Sequence, residues 1–368
     1  MAQTFTQLLA DKFTYHAVDI SRFEAHVQTK TIQTLEALES SILHDLDRLD
    51  PTATAMKRRR LEALQKSVKA NIQDAYSGIK RDARKDMIQL AETVSTTTAD
   101  TINTAATVSL LNVGLPAGVL AAMADDSLIQ GAPAREWWSR QAGNTYQRFS
   151  DQMRQGMMQG DTLGQLVRRV RGTKDLNFKD GIMEMGRRDA EALVRTSIQS
   201  VANAARLETL QQNPDVVKGY QALVTLDART TELCQGRSGM AWDQDGQPMT
   251  PETTIEFPGP PPWHWGCRTT LIPITYSWQE LASNKDLGKQ VQREVNDLPK
   301  STQASMDGQV ADTLDYSAWL ETKSEAFQQE VLGPGKWALW KDGKLTLRDL
   351  TDFRGRPLTL EQLKKRVG

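Results

Sequence analysis

Residues 194–227 read VRTSIQSVANAARLETLQQNPDVVKGYQALVTLD, and a change of period inside them decides the fold class. Over 187–212 the apolar residues Leu193, Val194, Ile198, Val201, Ala205 and Leu210 recur at helical spacing, and Asn213-Pro214 ends that helix. The residues that follow are β-branched and aromatic with partial alternation, which predicts a strand near 217–226. A second strand is expected near 268–275 in CRTTLIPITY, with Pro273 marking an edge strand or a strand end.

Upstream, the pattern is helical. Leu35, Leu38, Ile42, Leu46 and Leu49 form one stripe before the break at Asp50-Pro51. Leu61, Leu64, Val68, Ile72, Ala75, Ile79, Ala83, Met87 and Leu90 lie on a second, longer one. Neither stripe can be buried alone, so an antiparallel helical hairpin is predicted. The Thr- and Ala-rich run 93–109 is read as helix. Trp137, Trp138, Tyr146, Phe149 and Met153 mark another helix, followed by a short one capped by Asp161 or Thr162 and stopped at Gly172. Toward the C-terminus a helix from 310 on, through YSAWLETKSEAFQQEVLG, a hairpin at Asp342-Gly343 and a closing helix are expected. The fold class is therefore α+β: a mostly helical N-terminal half, then a mixed domain with a small antiparallel sheet. The segments are a helical arm over 1–104, a helical middle over 105–184 and the mixed domain over 185–368.

The chain has 368 residues, with 45 Lys and Arg against 46 Asp and Glu, so wholesale coating of nucleic acid is not expected. Charge is nonetheless blocked: residues 51–90 carry ten basic and four acidic side chains, including Lys57, Arg58, Arg59 and Arg60. These four are candidate contacts for nucleic acid or an acidic partner; the plainer alternative is a solvated face beside an acidic neighbouring helix. The start MAQTFTQLLADKF lacks the pattern of a signal peptide, no run is long and apolar enough to span a membrane, and two cysteines cannot make a disulfide scaffold. These features lead to the expectation of a chain made in the cytoplasm with no membrane contact. No GxGxxG, Walker, HExxH or GxSxG motif is present.

Both cysteines and one of the four histidines gather in LDARTTELCQGRSG and PGPPPWHWGCRTT. Cys234, His264 and Cys267 are donor types that suit zinc, and Asp227 would have to be the fourth ligand. Buried thiols without metal, a disulfide and a Cys-His catalytic pair are the other readings. PGPPPW imposes a stiff, extended approach to His264. Asp227 and Arg229 fall at the predicted strand end and Arg268 at the start of the next, so an Asp–Arg clamp is expected to join the two ends of the polar loop, with Arg195 reaching the same cluster.

These residues carry a family likeness. Arg195, Thr196 and Asn203 on a helix, then Asp227, Arg229, Thr230 and Cys234, then Pro261, Pro262, His264, Cys267 and Arg268 resemble the pattern of the phage Mu protein F family, minor capsid or head-morphogenesis proteins of tailed bacteriophages. The likeness extends over roughly 105–368. Many members carry further cysteines where this chain has Thr231 and Thr269, a departure that leaves a four-ligand zinc site incomplete. The resemblance implies a non-enzymatic protein of prohead assembly. It would bind the portal protein, the major capsid protein or a scaffold, with packaged DNA as a further contact. It would sit in the virion, at the capsid interior or portal vertex, after assembly in the host cytoplasm. A DNA escort of the virion interior and an enzyme on the mixed domain are the alternatives.

Overall fold

The computed structural model describes residues 5–48, 58–112, 114–283, 316–352 and 357–367. Helices α1 (Phe5–Asp47) and α2 (Arg58–Ala106) are followed by α3 (Ala117–Asp126), a two-residue ladder of β1 (Leu128–Ile129) and β2 (Ala132–Pro133), α4 (Ala134–Gln159) and α5 (Leu163–Arg171). Helix α6 (Ile182–Gln211) leads into β3 (Val217–Leu223), α7 (Glu232–Gly236), β4 (Ala241–Asp243) and β5 (Thr270–Thr275). Among the described residues five short helices follow: α8 (Trp278–Ser283), α9 (Tyr316–Glu321), α10 (Glu325–Leu332), α11 (Pro334–Lys341) and α12 (Leu360–Val367). The class is α+β, as expected. The chain forms two compact units, one made of Met1–Ile20, Ala91–Leu120 and Gln199–Gly368, the other of Ser21–Leu90 and Ala121–Ile198.

The second unit is helical. Its α1 and α2 segments run antiparallel: Lys30 pairs with Asp86 at 3.3 Å, while Asn71 bonds Ser41 at 3.0 Å and Asp45 at 3.2 Å. The first predicted stripe is buried from Leu35 to Leu46, and the second at Leu61, Leu64, Val68, Ile72, Ile79, Met87 and Leu90, with Ala75 and Ala83 half-buried; Leu49 lies outside the described residues. Trp138, Phe149 and Met153 bury the inner face of α4. Polar cross-links accompany them: Gln65 Nε2 donates to Ser150 Oγ at 2.9 Å, and the hydroxyls of Tyr76 and Thr145 share a bond of 3.0 Å. Helix α5 starts at a capping box, with Thr162 and Gln165 satisfying each other's backbone N–H, and stops at Gly172.

The first unit is mixed. Its sheet has the order β4-β3-β5, all antiparallel, with β3 central. Pro273 sits opposite Tyr220 on β5, an edge strand, where a missing N–H is tolerated. Gly219 lies at a register shift, and a Cβ there would run into the Trp242 carbonyl and Met249, so the close approach of β3 and β4 needs a glycine. Leu9 and Phe13 from α1, Ile102 and Ala106 from α2, and Tyr220, Trp242 and Leu271 from the sheet share one core. A second core gathers Cys234 and Cys267 with Tyr316, Leu320, Trp340, Leu347 and Leu350.

Three expectations are corrected. The hairpin at Asp342-Gly343 does not form; Trp337 and Trp340 belong to α11, which begins with Pro334 after Gly333 and ends at Asp342, and Gly343 takes the left-handed φ of 67° just beyond it. The single helix expected before it is two, because Ser324 caps a fresh start by accepting from Phe327 N; residues 310–315 of that stretch lie outside the described ones. Strand β4 was not expected at all, since three residues among turn formers give no period to read. The Thr- and Ala-rich run is helical through Ala106.

Candidate functional site

The site is built where β3 ends and β5 begins. Beyond Leu223 the chain turns on itself: Asp227 Oδ1 accepts from Arg229 N at 3.0 Å, and Thr230 Oγ1 donates to the Thr225 carbonyl at 2.5 Å. Thr231 then caps the single turn of α7, which carries Cys234 inward. The return path runs through the cis Pro261-Pro262 bond to His264-Trp265-Gly266-Cys267. There Cys267 N donates back to the His264 carbonyl at 3.2 Å, and Gly266 has φ 71°, a left-handed value that lets His264 and Cys267 face the same way.

Three donor atoms converge. Cys234 Sγ lies 3.1 Å from His264 Nε2 and 3.6 Å from Cys267 Sγ. Among the described residues these are the one group of three or more potential metal ligands, all within 4.8 Å of one another. Cys234 and Cys267 are buried and His264 is half-buried. His264 Nδ1 donates to the Trp265 carbonyl at 2.9 Å, which fixes the ring and leaves Nε2 facing the sulfurs. Thr231 Oγ1 approaches the same Nε2 at 2.9 Å.

The electrostatics separate the two thiols. A hydrogen bond from Cys234 pulls the Cys267 thiol well below its ordinary value, with His264 adding to the effect, while Cys234 is pushed up by the same partner and by burial. Burial pulls His264 down, but the bond to Cys267 and its charge outweigh this and leave the imidazole above its ordinary value. Arg237, stacked 4.6 Å over the Trp263 ring, contributes positive charge close by.

Zinc with two sulfurs and one imidazole has tetrahedral edges of about 3.8 Å between sulfurs and about 3.5 Å from sulfur to nitrogen. The observed 3.6 and 3.1 Å lie near two of those edges, and all three donor atoms are within 4.8 Å of one another, a set that suits zinc. Asp227 is not the fourth ligand, contrary to expectation. Arg268 holds both its carboxylate oxygens at 2.6 Å each, a bidentate clamp that presses its pKa down to about 2. The Thr231 hydroxyl, 2.9 Å from His264 Nε2, is the oxygen beside the trio that could complete such a set. A shallow cavity of about 10 Å³, room for an ion or one water, lies against Cys234, His264 and Thr231.

The remaining motif residues divide. Asn203 is fully buried; its Nδ2 donates to the Thr269 carbonyl at 3.1 Å and its Oδ1 accepts from Thr270 Oγ1 at 3.0 Å, so α6 grips β5 next to Cys267. Thr230 is buried in the turn, and Arg229 points to solvent with a loose 3.7 Å approach to Asp227. Arg195 does not join the cluster; it is long enough to meet Glu24 at 2.8 Å and pairs there. Thr196 is buried and bonds the Ala192 carbonyl one turn back at 2.7 Å. Arg59 and Arg60 are exposed at the start of α2; Lys57 lies outside the described residues. The sequence reading missed Tyr316, whose hydroxyl donates to the Asp227 carbonyl at 2.7 Å and whose pKa burial raises to about 12. A partner 89 residues away leaves no local signal.

Residues 147–272 match the family described as Phage Mu protein F like protein. The matched segment contains β3, β4 and all three donor residues. Searches of curated proteins and of solved structures each return no match.

Proposed function

We propose, from the premise that this is a phage Mu protein F-like chain, that it is a minor head-morphogenesis protein of a tailed double-stranded DNA phage or prophage. In this reading it binds the portal protein, the major capsid protein or a scaffold during prohead assembly and stays at the capsid interior or portal vertex. The observation that carries the reading is the family match over residues 147–272, a segment that contains the loop on which Cys234, His264 and Cys267 meet. Cys234, His264 and Cys267, with Thr231 or a water in the fourth place, are proposed to hold a structural zinc ion. No catalytic step is assigned to them.

Quantitative mass spectrometry of purified virions and of proheads assembled without portal tests this. The expected result is a few copies per virion and loss of the protein from portal-less proheads. Absence from virions rejects the reading. A second reading, escort of DNA, is favoured by the exposed Arg59 and Arg60. It requires DNA binding that falls steeply with salt and is lost in the variant with both arginines replaced by Ala.

A further inference from the structure

The chain has two cysteines, and they meet. Cys234 Sγ and Cys267 Sγ lie 3.6 Å apart although 33 positions separate them. Both belong to a core shared with Leu320, Trp340, Leu347 and Leu350. Each sulfur has its own support. Cys234 rides on α7, whose Gly236 packs on the backbone of Leu347 and Arg348. Cys267 sits in the turn where its N–H bonds the His264 carbonyl and Gly266 takes φ 71°. A disulfide needs sulfurs about 2.05 Å apart, so each would move about 0.8 Å, which a rotation of about 30° at each χ1 covers.

Burial decides which oxidised product can form. At 2 % and 0 % exposure, Cys234 and Cys267 do not reach a second copy of the chain, so oxidation joins them to each other. The shallow cavity against Cys234, His264 and Thr231 gives a small oxidant a path to the pair. A sulfenic acid formed on either sulfur has the other in contact and is captured before it climbs to sulfinic acid.

We infer that Cys234 and Cys267 are a reversible oxidation site: hydrogen peroxide converts the pair to a disulfide, which closes the crossover from β3 to β5 in place of the zinc ion. The step balances. One thiol takes an oxygen from the peroxide as its O–O bond breaks, becomes a sulfenic acid and releases one water. The second sulfur then attacks the sulfenic sulfur. The S–S bond forms, the S–O bond breaks, and the hydroxyl leaves with the second thiol's proton as another water. Two electrons pass from the two thiols to one peroxide, and a thiol reductant reverses the change by exchange. A bridged sulfur is no longer a thiolate ligand, so metal and disulfide exclude each other. The crossover is thus fastened by metal where thiols are kept reduced and covalently where they are not. The exchange of metal for disulfide rests on the zinc reading; formation of the bridge in the metal-free chain does not.

Intact-mass spectrometry and maleimide counting on the full chain test the inference. The samples are wild type, zinc-loaded and zinc-stripped, and His264→Ala, which keeps both sulfurs and loses one zinc donor. With hydrogen peroxide, both thiols of the stripped wild type and of His264→Ala should disappear together, with a mass loss of about 2 Da, no dimer, and recovery of both thiols in dithiothreitol. Zinc-loaded wild type should release one zinc ion per bridge to a chromophoric chelator. The bridged chain should melt about 5 °C or more above the reduced, stripped one, because the bridge closes a long loop of the unfolded chain. Thiols that stay alkylatable, sulfinic or sulfonic acids in place of the bridge, disulfide-linked dimers, or a bridged chain that melts below the reduced one overturns the inference. A wild type that forms the bridge but binds no zinc rejects the zinc reading alone. A chain that binds zinc but resists peroxide when stripped rejects this inference alone.

Discussion

Arg268 donates two hydrogen bonds of 2.6 Å to the two carboxylate oxygens of Asp227, joining residues 41 apart at the start and end of the crossover. The carboxyl is held at about 2, below the ordinary value of 3.8. A carboxyl whose pKa is lower in the folded state adds stability that is complete above its unfolded value and is lost as pH falls through the folded one. The window is therefore from about 4 down to about 2. With the side chains about one-third exposed, solvent screening reduces the contribution to about 1–2 kcal/mol. Asp227→Asn is expected to cost that amount at pH 7 and to flatten the loss of stability between pH 4 and 2, read by urea denaturation at a series of pH values. An unchanged acid limb would remove the clamp from the account.

Asn203 bonds both the Thr269 carbonyl and the Thr270 hydroxyl from a position with no solvent exposure. Asn203→Ala strands a buried carbonyl, at a cost of about 2–3 kcal/mol. Urea denaturation measures it. Because the grip is on the strand beside Cys267, the same variant should also weaken metal retention; a stable variant with intact zinc affinity contradicts the assigned role.

The sequence exposes those parts of the fold whose signals are periodic. The stripes on α1, α2 and α6 are legible because a helix repeats its buried face every three or four residues, and Leu35 to Leu46 or Leu193 to Leu210 offer several turns to read. Strand β4 and helix α7, three and five residues long, do not repeat a period twice, and tertiary neighbours decide them: Trp242 is fully buried and bonds the Ile255 carbonyl, and Gly236 packs on the backbone of Leu347 and Arg348. The candidate site was half legible. Scarce residue types drew attention to Cys234, His264 and Cys267, and opposite charge at two strand ends pointed to Asp227 and Arg268. What spacing could not give was exclusivity: a carboxylate engaged by an arginine is not available to a metal, and that is visible only once both oxygens are seen to be occupied.

Zinc binding by the intact chain is expected at one ion per molecule, with loss in His264→Ala and in Cys267→Ser. Thr231 Oγ1 stands 2.9 Å from His264 Nε2, at the open side of the trio. Thr231→Cys therefore completes a Cys₃His set and should raise affinity at least about tenfold in a chelator competition. No gain from Thr231→Cys would show that the threonine does not face the fourth position.

Arg206 is fully buried, stacks 5.0 Å over the Phe13 ring, donates to the Thr270 hydroxyl, and faces no carboxylate among the described residues. Burial alone lowers its pKa to about 10. A buried cation without a counter-charge contributes little net stability, so Arg206→Met, which keeps the volume, should change unfolding free energy by less than about 1 kcal/mol or raise it. Arg206→Ala should cost about 2–4 kcal/mol through the cavity. Equal losses in thermal and urea unfolding of the two variants would mean that the charge itself stabilises the fold.

The central claim is that the crossover from the end of β3 to the start of β5 is held closed by the Cys-His-Cys trio. Native-state hydrogen exchange on the full chain, wild type beside His264→Ala, each with zinc and with chelator, tests it most directly. The account predicts that the amides of Phe257 and Cys267, bonded to Gly246 and His264, are protected in the wild type and lose protection in His264→Ala, while those of β3 do not change. Free exchange of Phe257 and Cys267 in the zinc-bound wild type, or equal protection in both proteins, would contradict it.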